Sequence, residues 1–318
     1  MTAPRDTFAL AGHAAAEATL AEALAHGRMH HAWLITGPKG VGKASLAFRA
    51  ARAALGARVT GPRPLDVSPD DPIAKRIAAG AHGDFFLLER GLNERGKMRR
   101  DIPVEQARAL PSFFTLQAGA GGRRVAIIDA IDDLNRHGAN ALLKIVEEPP
   151  PGALLLLVCH TPGAALATIR SRCRALRLRP LSDADMAPFA GGDGAVLRLA
   201  AGRPGLALAL TAQGGLARAL TDALERLPTR GARALLPIAF TRADDPGARL
   251  ALVLDALEGW LRDSALAALN DAPARAARLA DVYADIEALR GEADGLDLDP
   301  AHALARAALL VERAAAAP

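Results

Sequence analysis

Cysteine is almost missing from this sequence: Cys159 and Cys173 are the two in 318 residues. A zinc module built on paired cysteines needs four ligands at short spacing, so no metal site is expected. Two free, buried thiols are expected instead, as in a reducing compartment. Aromatic residues are also scarce, at 3%. Much of the 51% hydrophobic content is Ala and Leu, which favours helix over a β-sandwich. No apolar run approaches the roughly 20 residues of a membrane span. Residues Met1 to Leu10 lack the basic-then-apolar order of a secretory signal. A cytoplasmic protein without membrane contact is therefore expected. Neither sign of charge dominates. Lys and Arg number 39 against 35 Asp and Glu, a net +4 that permits contact with nucleic acid without requiring it.

What is present is organised around residues 123 to 181. The short apolar run Val125-Ala126-Ile127-Ile128 ends in a carboxylate, Asp129. A helical stretch with Asn140-Ala-Leu-Leu-Lys144 and Glu147-Glu148-Pro149-Pro150 follows, then a second apolar run from Ala153 to Val158. Two such runs flanking a helix predict two buried parallel strands joined by a crossover. Asp129 would stand at a strand end, where open parallel sheets bind ligands.

Upstream, residues 11 to 27 predict a helix, and 30 to 36 a short strand. That strand runs into Gly37-Pro-Lys-Gly40-Val-Gly42-Lys43. Glycines allow backbone amides to turn around a phosphate, a lysine adds a point charge, and the following helix aims its dipole there. The bland alternative is a glycine-rich strand-to-helix turn that binds nothing. A phosphate loop of this kind needs Ser or Thr directly after the lysine to hold magnesium. Ala44 stands there, and Ser45 comes one residue late, about 100° around a helix.

Residues 57 to 72, with Gly61-Pro62 and Ser68-Pro69-Asp70-Asp71-Pro72, predict a loop. Phe85 to Leu88 predicts a strand. The polar stretch from Arg90 to Arg100, with Arg95, Lys97 and Arg99, predicts a solvated loop that could meet a phosphate backbone. A helix from about Glu105 to Leu116 should be kinked or interrupted at Pro111, and Gly119 to Gly122 should form a flexible link. After Pro180 strand signals cease. Short Ala/Leu-rich helices broken by Gly191-Gly192 and by Gly202-Arg203-Pro204-Gly205 suggest a small helical lid. Longer amphipathic stretches follow Pro228, including 248 to 268 around Trp260, 274 to 289 and 301 to 313. The expected division is an α/β parallel-sheet domain over 1–181, a helical lid over 182–213 and an all-α domain over 214–318.

The order of these motifs resembles the bacterial clamp-loader ATPase subunits: Gly37 to Lys43, the Asp129 strand, Asn140 to Lys144, Glu147-Glu-Pro-Pro150, then Ser171-Arg172-Cys173. The likeness covers roughly residues 8 to 182. It implies an AAA+ P-loop domain followed by a lid and a C-terminal collar that assembles a ring. It also implies a nucleotide site made by Gly37, Gly40, Gly42, Lys43 and Asp129. The hydrolysing gamma/tau members carry a four-cysteine zinc module after the P-loop, and residues 57 to 82 here contain no cysteine.

Three parts of the hydrolytic site are altered. Ala44 replaces the magnesium hydroxyl. Ala130 stands where relatives carry the glutamate that orients water, and Asp132 and Asp133 lie past the strand end. Gly205 falls where a lid arginine senses the γ-phosphate, with Arg203 displaced. The resemblance then implies a member that keeps the fold without the reaction. No cofactor is required, and ATP binding stays open. Ser171-Arg172-Cys173 is intact; in such subunits it opens a helix facing a neighbour, whose nucleotide site the arginine enters. A guanidinium suits that task because it is planar and always charged. The plain alternative is that Arg170, Arg172 and Arg174 form a basic surface. Implied partners are gamma/tau and delta subunits, primer-template DNA through its phosphates, and the sliding clamp and polymerase indirectly. The competing function is an ATPase that hydrolyses ATP itself using Lys43 and Asp129.

Overall fold

The computed structural model describes residues 3–94, 98–99, 101–116, 122–163, 165–239, 245–296 and 298–315. The expectations for Arg95, Lys97, Arg100 and 119–121 lie outside the described residues. The described chain separates into two compact units, Met1–Asp185 with Gly202–Gly205, and Met186–Ala201 with Leu206–Pro318.

In the first unit, helix α1 (Ala14–Ala25) precedes β1 (Ala32–Thr36), and α2 (Lys43–Ala54) follows the glycine-rich loop. Helix α3 (Pro72–Ala78), β2 (Phe85–Glu89), α4 (Val104–Thr115), β3 (Arg124–Asp129), α5 (Arg136–Glu147), β4 (Ala153–Cys159), α6 (Ala167–Arg170) and β5 (Arg174–Arg177) complete it. The sheet has the order β2-β3-β4-β1-β5, with every pairing parallel. The two expected strands of the central stretch, β3 and β4, lie side by side, with Ile127 opposite Leu156.

Continuous apolar strands belong in sheets covered on both faces. The alternation of side chains sorts them here. Trp33, Ile35, Val125, Ile127, Leu154, Leu156 and Val158 pack with α1 and α2. Their strand neighbours Leu34, Ala126, Ile128, Leu155 and Leu157 pack with α4, α5 and α6. Each fully buried leucine here contributes about 1.5–3 kcal/mol relative to exposure.

Two sequence expectations need correction. Helix α4 runs unbroken through Pro111. Leu110, Phe113 and Phe114 on either side of it are buried, so packing against the sheet outweighs the hydrogen bond a proline removes. The loop expected over 57 to 72 ends one residue early, because Pro72 already starts α3. Asp71 caps that helix, accepting from the amides of Ile73 and Ala74 at 2.8 and 3.1 Å, with Pro72 in the first turn.

Residues 5 to 12 are strapped across α2 by buried arginines. Arg52 donates to the carbonyls of Thr7 at 3.0 Å and Arg5 at 2.5 Å. Arg49, 1% exposed, donates to the carbonyl of Phe8 and pairs with Asp66 and with the fully buried Glu17, the last at 2.5 Å. Arg63 pairs with Glu17 and donates to the carbonyls of Leu10 and Gly12.

Helices α7 (Asp183–Ala190) and α9 (Pro204–Ala212) straddle the division between the units, and α8 (Gly194–Ala200) lies in the second. There α10 (Leu216–Arg230), α11 (Leu236–Ala239), α12 (Pro246–Ala268), α13 (Pro273–Leu296) and α14 (Pro300–Ala315) follow. Leu250, Val253, Leu254, Leu257 and Leu261 form the buried stripe of α12, and Leu279, Val282, Ile286 and Leu289 that of α13. Glu258 on α12 joins Arg290 on α13 at 2.8 Å. Trp260 is half-buried. Among the described residues no helix is long and apolar enough to cross a membrane.

Candidate functional site

At the carboxyl end of the sheet, β1 delivers the chain into the glycine-rich loop, and Gly37, Gly40 and Gly42 all take positive φ. Only glycine fits at the first of these: a Cβ on Gly37 would stand 2.5 Å from the carbonyl oxygen of Leu178. Lys43 is the first residue of α2, and its ammonium is turned back on the loop. Nζ donates to the carbonyls of Gly37 at 2.6 Å and Pro38 at 2.8 Å, and the residue is 3% exposed. Burial lowers its pKa to about 8, partly opposed by Asp129 and Asp132.

Asp129 ends β3, opposite Glu89 at the end of β2. Burial, helped by the Glu89 carboxylate, raises the Asp129 pKa to about 6, and Lys43 opposes the rise. Thus Lys43 and Asp129 share one charge cluster. Ala44 packs its methyl against the core, and Ala130 is 1% exposed in the same cluster. At the two positions where the resemblance implies a magnesium hydroxyl and a water-orienting carboxylate, the side chains are methyl groups. This donor set does not fit a magnesium nucleotide poised for hydrolysis.

The neighbouring acids have other tasks. Asp132 accepts from the amides of His160 and Thr161, both at 2.7 Å, and so holds the tip of β4. Asp133 pairs with Arg90 at 3.2 Å. Burial and the cations Lys43, Lys39 and Arg90 push His160 down to about 4. Cys159 is a free buried thiol, pushed up to about 12 by burial and by Asp132.

Two contacts here escaped the sequence. The amide of Gly205 donates to the carbonyl of Gly40 at 2.9 Å, and a Cβ on Gly205 would lie 3.1 Å from the Gly40 Cα. His13 Nε2 donates to the carbonyl of Val41 at 2.9 Å. A glycine after Pro204 is the only local sign of the first, and nothing local marks the second.

Ser171, Arg172 and Cys173 occupy the turn between α6 and β5. They close a short helix; the expectation that they open one is corrected. Ile169 is 2% exposed, and Cys173, a free thiol pushed up to about 11 by burial, packs on the same core. These two anchor the turn while Arg172 is exposed between them. Its guanidinium reaches Glu147 on α5 at 3.3 Å and donates to the carbonyl of Thr168 at 3.2 Å. Its basic neighbours are engaged differently. Arg170 donates to the carbonyl of Pro162 at 2.8 Å, and Arg174 lies over the Trp33 ring at 4.7 Å.

A parallel sheet of this order, with a glycine-rich loop after β1, a carboxylate at the tip of β3 and an all-helical second unit, defines a P-loop α/β protein of the AAA+ class. The family model described as DNA polymerase III, delta subunit, matches residues 12–182. The chain belongs to that family, among its delta-prime members.

Curated relatives include subunit delta' of Pseudomonas aeruginosa, 38% identical over 143 residues, 45% of this chain and 41% of the relative. Subunit delta' of Escherichia coli is 32% identical over 194 residues, 58% and 55% of the two chains. Subunit tau of Escherichia coli is 35% identical over 162 residues, 51% of this chain and 24% of that one. The chain thus spans about half the length, or less, of the curated relatives it matches. Among solved structures, a gamma subunit-related protein of Thermotoga maritima aligns with TM-score 0.44 and 16% identity, over 77% of this chain and 72% of that one.

Proposed function

We propose that this chain is a non-hydrolysing clamp-loader subunit that supplies Arg172 to the ATP site of a neighbouring ATPase subunit. The neighbours are gamma/tau and delta subunits in a ring that places a sliding clamp on primed DNA for the polymerase. Primer-template DNA is met through phosphates, without sequence preference. In this role residues 182–213 serve as a lid and 214–318 as the ring-forming collar. The subunit works in the cytoplasm and needs no cofactor or zinc.

The observation that carries the proposal is the contrast between the two arginine and lysine sites. Lys43 is buried, with its ammonium bonded to the Gly37 and Pro38 carbonyls of its own loop. Arg172 is exposed on a turn anchored from both sides. A charge built for another subunit's phosphate belongs on the surface, and one built for its own would line the loop.

The competing reading, an ATPase in its own right, draws on the nearness in charge of Lys43 and Asp129. Steady-state hydrolysis by the purified chain, with and without primed DNA, separates the two. Negligible turnover is expected. A DNA-stimulated rate abolished by Lys43→Ala would overturn the proposal.

A further inference from the structure

Arg172 does not stand alone on its turn. Its guanidinium is held at both terminal nitrogens, Nη2 by the carboxylate of Glu147 at 3.3 Å and Nη1 by the carbonyl of Thr168 at 3.2 Å and the hydroxyl of Ser171 at 3.4 Å. Both side chains of the pair are about half exposed, 42% for Arg172 and 44% for Glu147. Glu147 is the last residue of α5, whose buried face, Leu142, Ile145 and Val146, is locked into the core. The carboxylate therefore projects from a rigid element, whereas Arg172 rides on a short turn.

We infer that Glu147 is the positioning residue of the trans-acting arginine. This inference rests on the finger function proposed above. An arginine side chain carries much rotamer freedom, and an arginine that must meet a phosphate across an interface loses that freedom on contact. A carboxylate of its own subunit removes part of the freedom beforehand. It takes one donor of the five-donor group and leaves others for the neighbour's phosphate oxygens. Glu148, the next residue, is exposed. The ion pair with the arginine is made by Glu147.

The sign of the effect is determined by what Glu147 does to the bound state. If the carboxylate mainly competed with the phosphate for Arg172, removing it would speed the neighbour. If it mainly orients, removing it slows the neighbour. Three restraints on one guanidinium, Glu147 at Nη2 and Thr168 and Ser171 at Nη1, favour orientation. The pair is half exposed and its coupling is modest, so a loss of about two- to fivefold is expected.

The test uses the assembled ring, with ATP hydrolysis measured at saturating ATP and primed DNA for Glu147→Ala, Glu147→Gln, Glu148→Ala, Arg172→Ala and the double variant Glu147→Ala/Arg172→Ala. Glu147→Ala should lower kcat about two- to fivefold with little change in KM. Glu147→Gln, which keeps an acceptor at the same reach, should recover most of the rate. Glu148→Ala should match the unaltered ring, and the double variant should be no slower than Arg172→Ala alone. A side-chain nitrogen NMR signal of Arg172 in the full chain should sharpen towards mobility in Glu147→Ala. A merely structural glutamate would not produce that local change.

If Arg172→Ala leaves hydrolysis unchanged, the finger function itself falls, and the positioning role with it. If Arg172→Ala slows the ring while Glu147→Ala does not, or speeds it, the finger stands and the positioning role is overturned. Additive losses in the double variant overturn it equally.

Discussion

The backbone amide of Gly205 donates a hydrogen bond to the carbonyl of Gly40, joining the start of α9 to the middle of the glycine-rich loop. The approach is tight, since a Cβ would stand 3.1 Å from both the Cα and the oxygen of Gly40 and would need a few tenths of an ångström more. Both atoms belong to backbone, so relief requires the loop to move. Gly205→Ala is therefore expected to destabilise the chain by about 1–3 kcal/mol, the usual cost of an overpacked contact. Urea unfolding measures it. An unchanged midpoint would mean that the loop yields freely, and that its closure on Lys43 is not held by Gly205.

Asp129 offers a pH test of the same cluster. Its folded pKa is about 6, against about 3.9 for an unfolded aspartate. A carboxyl with a raised pKa holds its proton more firmly in the folded state, so its contribution to stability is full below pH 4. It is lost as pH rises to about 6, because the unfolded state sheds the proton first. Over that window the unaltered chain should lose on the order of 2 kcal/mol relative to Asp129→Asn, with no further divergence above. Denaturant unfolding at a series of pH values reads the difference directly. Parallel stability curves for the two proteins would show that Asp129 is solvated rather than buried beside Glu89.

The strap over α2 predicts a larger effect. Arg49 is 1% exposed and is shared between Glu17, Asp66 and the Phe8 carbonyl. Removing one partner of a buried ion pair strands the other charge, typically at about 3–5 kcal/mol. Arg49→Met is expected to cost that much and to open residues 5–12 to proteolysis before the rest of the unit. A loss below about 1 kcal/mol would place Glu17 in contact with water.

Much of this fold is legible in the sequence because its signals are local. Continuous apolar runs such as 153 to 158 declare buried parallel strands, and glycines 37, 40 and 42 with Lys43 declare the loop between β1 and α2. The alterations at Ala44 and Ala130 are equally local, being single residues at set offsets. What was not legible depends on distance along the chain. Gly205 meets Gly40 across 165 residues, and Glu147 meets Arg172 across 25. No periodicity reports such pairings. The continuity of α4 through Pro111 has a related reason: the rule for proline in an isolated helix ignores the buried Phe113 and Phe114 that hold α4 to the sheet. The buried arginines of α2 run against the average rule for charged side chains, and their acceptors are carbonyls that a sequence does not display.

The most discriminating prediction concerns Arg172 against its basic neighbours. A trans-acting finger stabilises charge on a neighbour's transferring phosphate and contributes about 10³ to 10⁵ in rate in well-defined phosphoryl-transfer systems. In a ring with several sites the loss should be partial. Arg172→Ala should leave this subunit's fold intact, because the side chain is exposed and its pair with Glu147 is half solvated. It should reduce DNA-dependent hydrolysis and clamp loading by the assembled ring. Arg172→Lys should restore little, since an ammonium keeps the charge without the planar fork. The control for a generic basic surface must not disturb the core. Arg174 is unsuited, because it stacks on the buried Trp33 and its removal costs packing as well as charge. Arg177, exposed on the same edge strand, is the better choice. Equal defects from Arg172→Ala and Arg177→Ala, both relieved at low salt, would mean that the edge binds DNA phosphates as a patch. A defect confined to Arg172 that persists at saturating DNA means that the guanidinium acts on the phosphate of a neighbour's ATP.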